Sequence, residues 1–260
     1  MANINFVNMT EDDFLKKGHS SVVPRLYKYM PLEYGLKTLD DGQLWFANPI
    51  LWTDPFESRF VRALYPNNQP FPWKNRVFCT CFTTSVSSEA HWLIHAGKEM
   101  GIKLSLDREK FVMLLRTLPN DWNIYIGKVE YMKTSNIESL SINEIPFKEP
   151  MPSINDINNL CARLLMLKRN AFRYENEIRV VIVQGETLQN NQEGISIPLH
   201  CEYGSPMVMT DIVRSISFSP LMREKTRLVV RKYLKTKFND INIMRSTLYD
   251  NSKDEINLTW

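Results

Sequence analysis

The chain has 260 residues, 43% of them apolar, enough to close a core, and its 32 basic residues against 29 acidic ones leave a formal charge of +3. That balance excludes a whole-molecule field as the means of attracting nucleic acid, so any such attraction needs local clustering. The opening MANINFVNMTEDDFLKK puts acids where a signal peptide needs a basic and then an apolar segment, no run approaches the ~18 apolar residues of a membrane span, and four cysteines make no disulfide framework; the expectation is a cytoplasmic protein with free thiols and no membrane partner.

No repeat, low-complexity tract or long linker divides the chain. A single domain over residues 1–260 is expected, with residues 1–22 a polar leader. In chain order, RLYKY reads as a short strand, Pro31 opens a helix through LEYGLKTL, Gly42 ends it, and QLWFAN returns as a strand. TDPFE reads as a turn, because Asp54 precedes a proline. After a Pro-rich loop around Pro66, Pro70 and Pro72, RVFCTCFTTS has strand composition, SSEAHWLIHAGKEM reads as a helix capped by Ser88, and IKLSLD as a strand. KFVMLLRTL reads as a helix, YIGKVEYM as one strand, and PSINDINNLCARLLMLKR as one helix with Leu160, Leu164 and Lys168 in a row. ENEIRVVIV, SIPLH, SISFS and INIMRSTL read as strands, and MREKTRLVVRKYLKTKF as an amphipathic helix. The mixture points to an α+β fold.

No dinucleotide fingerprint or phosphate-binding Gly-Lys-Ser/Thr loop occurs among the nine glycines. Three constellations remain, each with a structural alternative. Glu175 and Glu177, two apart at the mouth of a strand, would share one face, as suits a reaction in which one carboxylate stabilises developing positive charge and another takes a proton; alternatively they are exposed acids pairing with Arg173, Arg179 or Lys168. Cys79 and Cys81 on a strand with His91 and His95 on a helix offer four zinc-ligand types, but the spacing matches no zinc pattern, two cysteines in a strand also read as core, and no metal is expected. Arg223, Arg227, Arg231 and Lys235 recur every four residues, a ridge opposite Met222, Val229, Val230 and Tyr233 that would meet phosphates of a nucleic acid or an acidic partner protein, or simply face solvent.

The order LYKY, LWFANPILWTDPFE, CFTTS with HWLIHA and GIKL, then LKRNAFRYENEIR resembles the bacterial domain-of-unknown-function family numbered twenty-nine seventy-one, over roughly Arg25 to Lys235. Its most specific parts are the Asp-Pro-Phe-Glu turn, here preceded by Thr53 in place of the family's usual Asn, and the Tyr-Glu-x-Glu-x-Arg block. More distantly, a basic residue on a first strand, a hydroxyl run on a middle strand and Glu-x-Glu entering a late strand are similar to ADP-ribosyltransferases of the arginine-serine-glutamate type. The resemblance implies a split mixed β-sheet with helices packed around it. It also implies NAD as substrate, Glu177 as the catalytic glutamate and Glu175 as its upstream partner acting on the acceptor. Lys28 stands where that class has an arginine, and Thr83, Thr84 and Ser85 fall on its Ser-Thr-Ser motif, so these four would hold the cofactor, with Thr83 and Ser85 also bonding Glu177. A toxin or antiviral role, a nucleic-acid or protein acceptor and a regulatory partner protein follow from the same resemblance. The alternatives are a catalytically silent binding module and, third, a metal-dependent hydrolase.

Overall fold

The computed structural model describes residues 2–16, 24–58, 75–140, 154–185, 193–201 and 206–250. The Pro66, Pro70 and Pro72 loop lies outside them. Strands form where β-branched and aromatic residues concentrate. They are β1 (Asn3–Val7), β2 (Arg25–Pro31), β3 (Gln43–Ala47), β4 (Val77–Thr83), β5 (Gly101–Asp107), β6 (Asn123–Lys128), β7 (Glu130–Met132), β8 (Leu167–Arg169), β9 (Glu177–Val183), β10 (Gly194–Pro198), β11 (Val213–Phe218) and β12 (Asn242–Arg245). The helices are α1 (Glu11–Leu15), α2 (Leu32–Asp41), α3 (Pro55–Ser58), α4 (Arg108–Arg116), α5 (Thr134–Ser139), α6 (Ile154–Leu164), α7 (Met209–Ile212) and α8 (Glu224–Lys237). Residues read as a polar leader thus supply β1, which pairs in parallel with β6, and α1.

Ten strands build one mixed sheet in the order β1-β6-β9-β4-β2-β5-β11-β12, with β3 joined to β4 and β10 joined to β3. β7 and β8 form a separate parallel pair. The fold is α+β with a mixed sheet, the class expected from the sequence. β9 is buried along its whole length, and its alternation serves two cores. Ile178, Val180 and Ile182 join Phe78, Phe82, Leu104 and α4's Phe111 in the larger cluster. Val181 and Val183 join Cys79, Tyr125 and α6's Cys161 and Ala162 in the smaller one.

The sheet forks at β4. On one side β9 pairs with it from Val77↔Val183 to Thr83↔Glu177. On the other side β2 reaches it only at Tyr27↔Thr83 and β3 only at Ala47↔Cys79. The backbone between those two contacts lacks a ladder partner, and an unpaired buried carbonyl is costly. Lys28 fills the fork: its Nζ donates to the Cys81 carbonyl at 3.0 Å and to Thr80 Oγ1 at 2.9 Å.

Several elements differ from the sequence reading. α6 stops at Leu164, where Leu165 N bonds Cys161 O and Met166 N bonds Arg163 O, and the chain then pairs with β7, so Lys168 is a strand residue rather than a helix one. YIGKVEYM breaks into β6 and β7, because Val129 and Glu130 turn their N–H groups to Glu177 O and Met166 O. Asp54 accepts from Phe56 N at 2.9 Å and Pro55 takes the first helical position, so TDPFE starts a helical turn, α3. The expected helix from Ser88 narrows to a π turn over His91–His95 and a 3-10 turn over Lys98–Met100, separated by Gly97 at φ 69°.

Candidate active site

Glu175 is not on a strand. It ends a 3-10 turn (Asn170–Glu175), and Asn176 adopts φ 44°, a left-handed corner that asparagine tolerates, before β9 begins at Glu177. Strand alternation therefore does not unite the pair, yet the corner brings both carboxylates to the same ammonium. Lys168 Nζ lies 2.5 Å from Glu175 Oε2, 3.2 Å from Glu177 Oε2 and 3.3 Å from Glu57 Oε1. Arg179, two residues along β9 and so on the face of Glu177, grips that carboxylate with Nε to Oε1 at 2.8 Å and Nη2 to Oε2 at 3.0 Å. Its remaining donors reach Glu57 Oε2 and Leu165 O, and Trp52 covers the guanidinium at 4.6 Å.

Three carboxylates thus share two cations, all with side chains no more than 9% exposed. Burial alone would raise the Glu177 carboxyl, but Arg179 and Lys168 outweigh it and hold the group well below the usual carboxylate range. Burial pulls the other way on the Lys168 ammonium, and Glu177, Glu57 and Glu175 raise it above the ordinary lysine value. Both stay charged at neutral pH. The Cys81 thiol is pushed well above its ordinary value by its hydrogen bond with Cys79 and by burial, so it stays protonated.

Glu57 and Asp54 are the site residues that the sequence reading missed as chemistry. Asp54 Oδ2 accepts from Arg169 Nη2 at 3.0 Å and Nε at 3.2 Å. The Glu57–Arg179 pair clasps the Asp-Pro-Phe-Glu turn to the Tyr-Glu-x-Glu-x-Arg block, and the Asp54 bonds tie the same turn to β8 just before it. The two most specific pieces of the family resemblance are one ionic cluster in space, a signal that was present in the motifs but could not be joined across 120 residues of chain.

A cavity of about 830 Å³ opens on this cluster, within the range of small-ligand sites. Lys28, Thr83, Glu175 and Glu177 all line it, with Tyr27, Trp52 and Phe172 among its aromatic walls. At its edge His95 Nε2 lies 3.5 Å from Glu175 Oε1. His91 is held between Ser88 Oγ, 2.7 Å from Nδ1, and Glu175 O, 3.2 Å from Nε2, and burial together with His95 lowers its pKa. The exposed strand entrance considered for the two glutamates is overturned, since Glu175 is 6% and Glu177 4% exposed. Lys168 and Arg179 are their partners, as that alternative had it.

Other sequence candidates sit differently from expectation. The row across three strands is Tyr27, Thr83, Glu177, with Lys28 on the neighbouring position, in the fork. Burial lowers the Lys28 pKa, and two of its three donors are taken by Thr80 and Cys81. Thr83 Oγ1 donates to Asn176 O at 3.3 Å and accepts from Ser85 N at 3.0 Å, and Thr84 Oγ1 accepts from Asn176 Nδ2 at 2.6 Å. The hydroxyl run therefore fixes the Asn176 corner and not the Glu177 carboxylate, and Thr84 and Ser85 lie off the cavity wall. Cys79 packs into the smaller core, and among the described residues no group of three or more His, Cys, Asp or Glu side chains is arranged to hold a metal. Along α8, Arg223, Arg231 and Lys235 are exposed and Arg227 is half-buried. The helix buries Leu234, with Met222 just before it also buried, while Val229 is 70% exposed, so the expected apolar face is corrected by about a quarter turn.

No protein-family model and no curated protein matches the chain. Among solved structures it is similar to Thermus sp. 2.9 DarT in complex with NAD+, with a TM-score of 0.39 and 10% sequence identity over 86% of this chain and 96% of that one. A likeness of that size is too slight to transfer a residue or an activity.

Proposed function

We propose that the chain is an NAD-consuming ADP-ribosyltransferase acting on a macromolecular acceptor. The observation that carries the reading is a buried Glu177 carboxylate, paired with Arg179 and Lys168, on the wall of a ligand-sized cavity that Lys28 and Thr83 also line. In the reaction, the bond from ribose C1′ to the nicotinamide nitrogen breaks, and its electron pair leaves with nicotinamide. The ribose becomes cationic, and a preorganised carboxylate is the group that stabilises such a centre. The ribose hydroxyl would bond Glu177, while Lys28 turns its third donor to the pyrophosphate. Glu175, at the junction with His95, would take the acceptor's proton as the acceptor bonds to C1′. Lys168 holds both carboxylates in place, and Arg179 adds a second grip on Glu177. A toxin or antiviral role under the control of a partner protein fits an activity that depletes NAD.

One observation favours a second reading, a catalytically silent binding module. Both Glu177 oxygens are already engaged by Arg179 and Lys168, as in a purely structural ion cluster. Incubating purified protein with NAD labelled in the adenylate half and with cell extract separates the two. Label entering protein, RNA or DNA supports transfer and names the acceptor class; labelled ADP-ribose free in solution marks hydrolysis, and intact NAD supports the silent module.

A further inference from the structure

Trp45 lines the cavity without belonging to the ionic cluster. It projects from β3 on the sheet face of Ala47, and Ala47 pairs with Cys79, so Trp45 shares a face with Cys79, Cys81 and Glu177. The indole is 48% exposed and lines the same cavity as Glu177, as does Ser196, its direct partner on β10. Its other side is seated on Gly194. A Cβ at Gly194 would come 2.3 Å from Trp45 Cζ2 and 2.5 Å from Cε2, so the position has room for no side chain. The result is an aromatic plate backed by bare strand, with one side open to the cavity. Lys28 lines the same cavity from the fork.

We infer that Trp45 is a stacking platform for a purine ring, the adenine of the dinucleotide whose ribose meets Glu177. The identity of that purine rests on the proposed transferase reading; the platform itself rests on the seat at Gly194. A ring stacked on an indole is worth about 1–3 kcal/mol by alanine substitution, and it needs one exposed aromatic side held flat. An indole that merely covered a strand glycine would instead contribute to stability alone.

The test is calorimetric binding of AMP, nicotinamide mononucleotide and NAD to the full chain, with folding checked by urea unfolding. Trp45→Ala is expected to weaken AMP and NAD binding by roughly 5- to 150-fold, Trp45→Phe to retain most of it, and nicotinamide mononucleotide, which lacks adenine, to bind all three proteins alike. Gly194→Val, which displaces the indole without removing it, is expected to reproduce the alanine loss. The platform is overturned if wild type fails to bind AMP, if Trp45→Ala binds it as wild type does, or if the mononucleotide weakens in step. The two readings fail separately: Trp45-dependent AMP binding without NAD turnover keeps the platform and removes the transferase. NAD turnover with an unchanged KM in Trp45→Ala does the reverse.

Discussion

Replacing Lys168 with Met keeps the aliphatic stem beside Phe172 but removes the ammonium that three buried carboxylates share. Glu57 and Glu177 would then share Arg179 alone, and Glu175 would keep only His95. Breaking a buried ion pair from one side costs about 3–5 kcal/mol, whereas an exposed pair is worth about 0–1. For a chain of this size that corresponds to a fall in Tm of about 6–20 °C. The pH dependence carries a second signature. In wild type, the depressed Glu177 value gives stability that is in place above the unfolded carboxylate pKa of about 4.3 and is lost only as pH falls through the folded value. The raised Lys168 value gives stability that is in place below about 10.4 and is lost as pH rises through the folded value. The cluster's contribution is therefore flat from about pH 5 to 9. In the variant the surplus negative charge raises one carboxylate above its unfolded value, so the folded state binds a proton more readily and the deficit shrinks as pH falls from 7.5 to 5.5. Urea unfolding at several pH values measures both effects. A loss under 1 kcal/mol, or one that does not change with pH, would refute the account of a tightly coupled, desolvated cluster.

Glu175→Gln is expected to suppress transfer to the acceptor more than NAD hydrolysis, since water can attack a ribosyl cation without that base; label partition between acceptor and free ADP-ribose reads this out. Lys103 is buried on β5 with its ammonium bonded to Val86 O at 2.5 Å and near the Tyr27 and Tyr29 rings at 5.1 and 5.5 Å, and burial holds its pKa down to about 8. Because the unfolded value lies near 10.4, Lys103 adds roughly 2 kcal/mol to stability as pH climbs from 8 to 10, set against the loss from the raised Cys81 and Cys161 thiols, so in urea titrations the stability of wild type relative to Lys103→Met should rise by that amount over this range. Charge reversal at Arg231 and Lys235 on α8 should weaken any nucleic-acid binding and flatten its salt dependence; an unchanged salt slope leaves the ridge a solvated helix face.

Local signals in the sequence were strong where a single residue decides the backbone. Pro31 and Gly42 bracket α2, with Gly42 at φ 61°, and Asp107 caps α4 by accepting from Glu109 N and Lys110 N. They failed where tertiary pairing decides. Nothing in LLMLKR marks the point at which α6 ends and β8 begins, since that boundary is set by β7 across the way. Glu175 and Glu177 were legible as a pair, but through the wrong geometry: a left-handed Asn176 and the Lys168 ammonium unite them, not strand alternation. Glu57 was legible as part of a motif but not as a carboxylate facing Arg179, because an ion pair between positions 57 and 179 leaves no periodicity in either segment. The fork at β4 is likewise a property of strand order, invisible in any one strand.

The central claim is that the Glu177 carboxylate, held ionised against burial, stabilises a cationic ribose. Glu177→Gln keeps the shape of the side chain and deletes its charge. NAD consumption measured on wild type and on this variant, with matched circular dichroism to show that both are folded, tests the claim most directly. The account predicts turnover by wild type and a loss of ~10²- to 10³-fold in the variant, the scale of one preorganised electrostatic contact at about 3–4 kcal/mol. Equal NAD consumption by the two folded proteins would contradict it, and would leave the carboxylates at the start of β9 as members of a structural ion cluster.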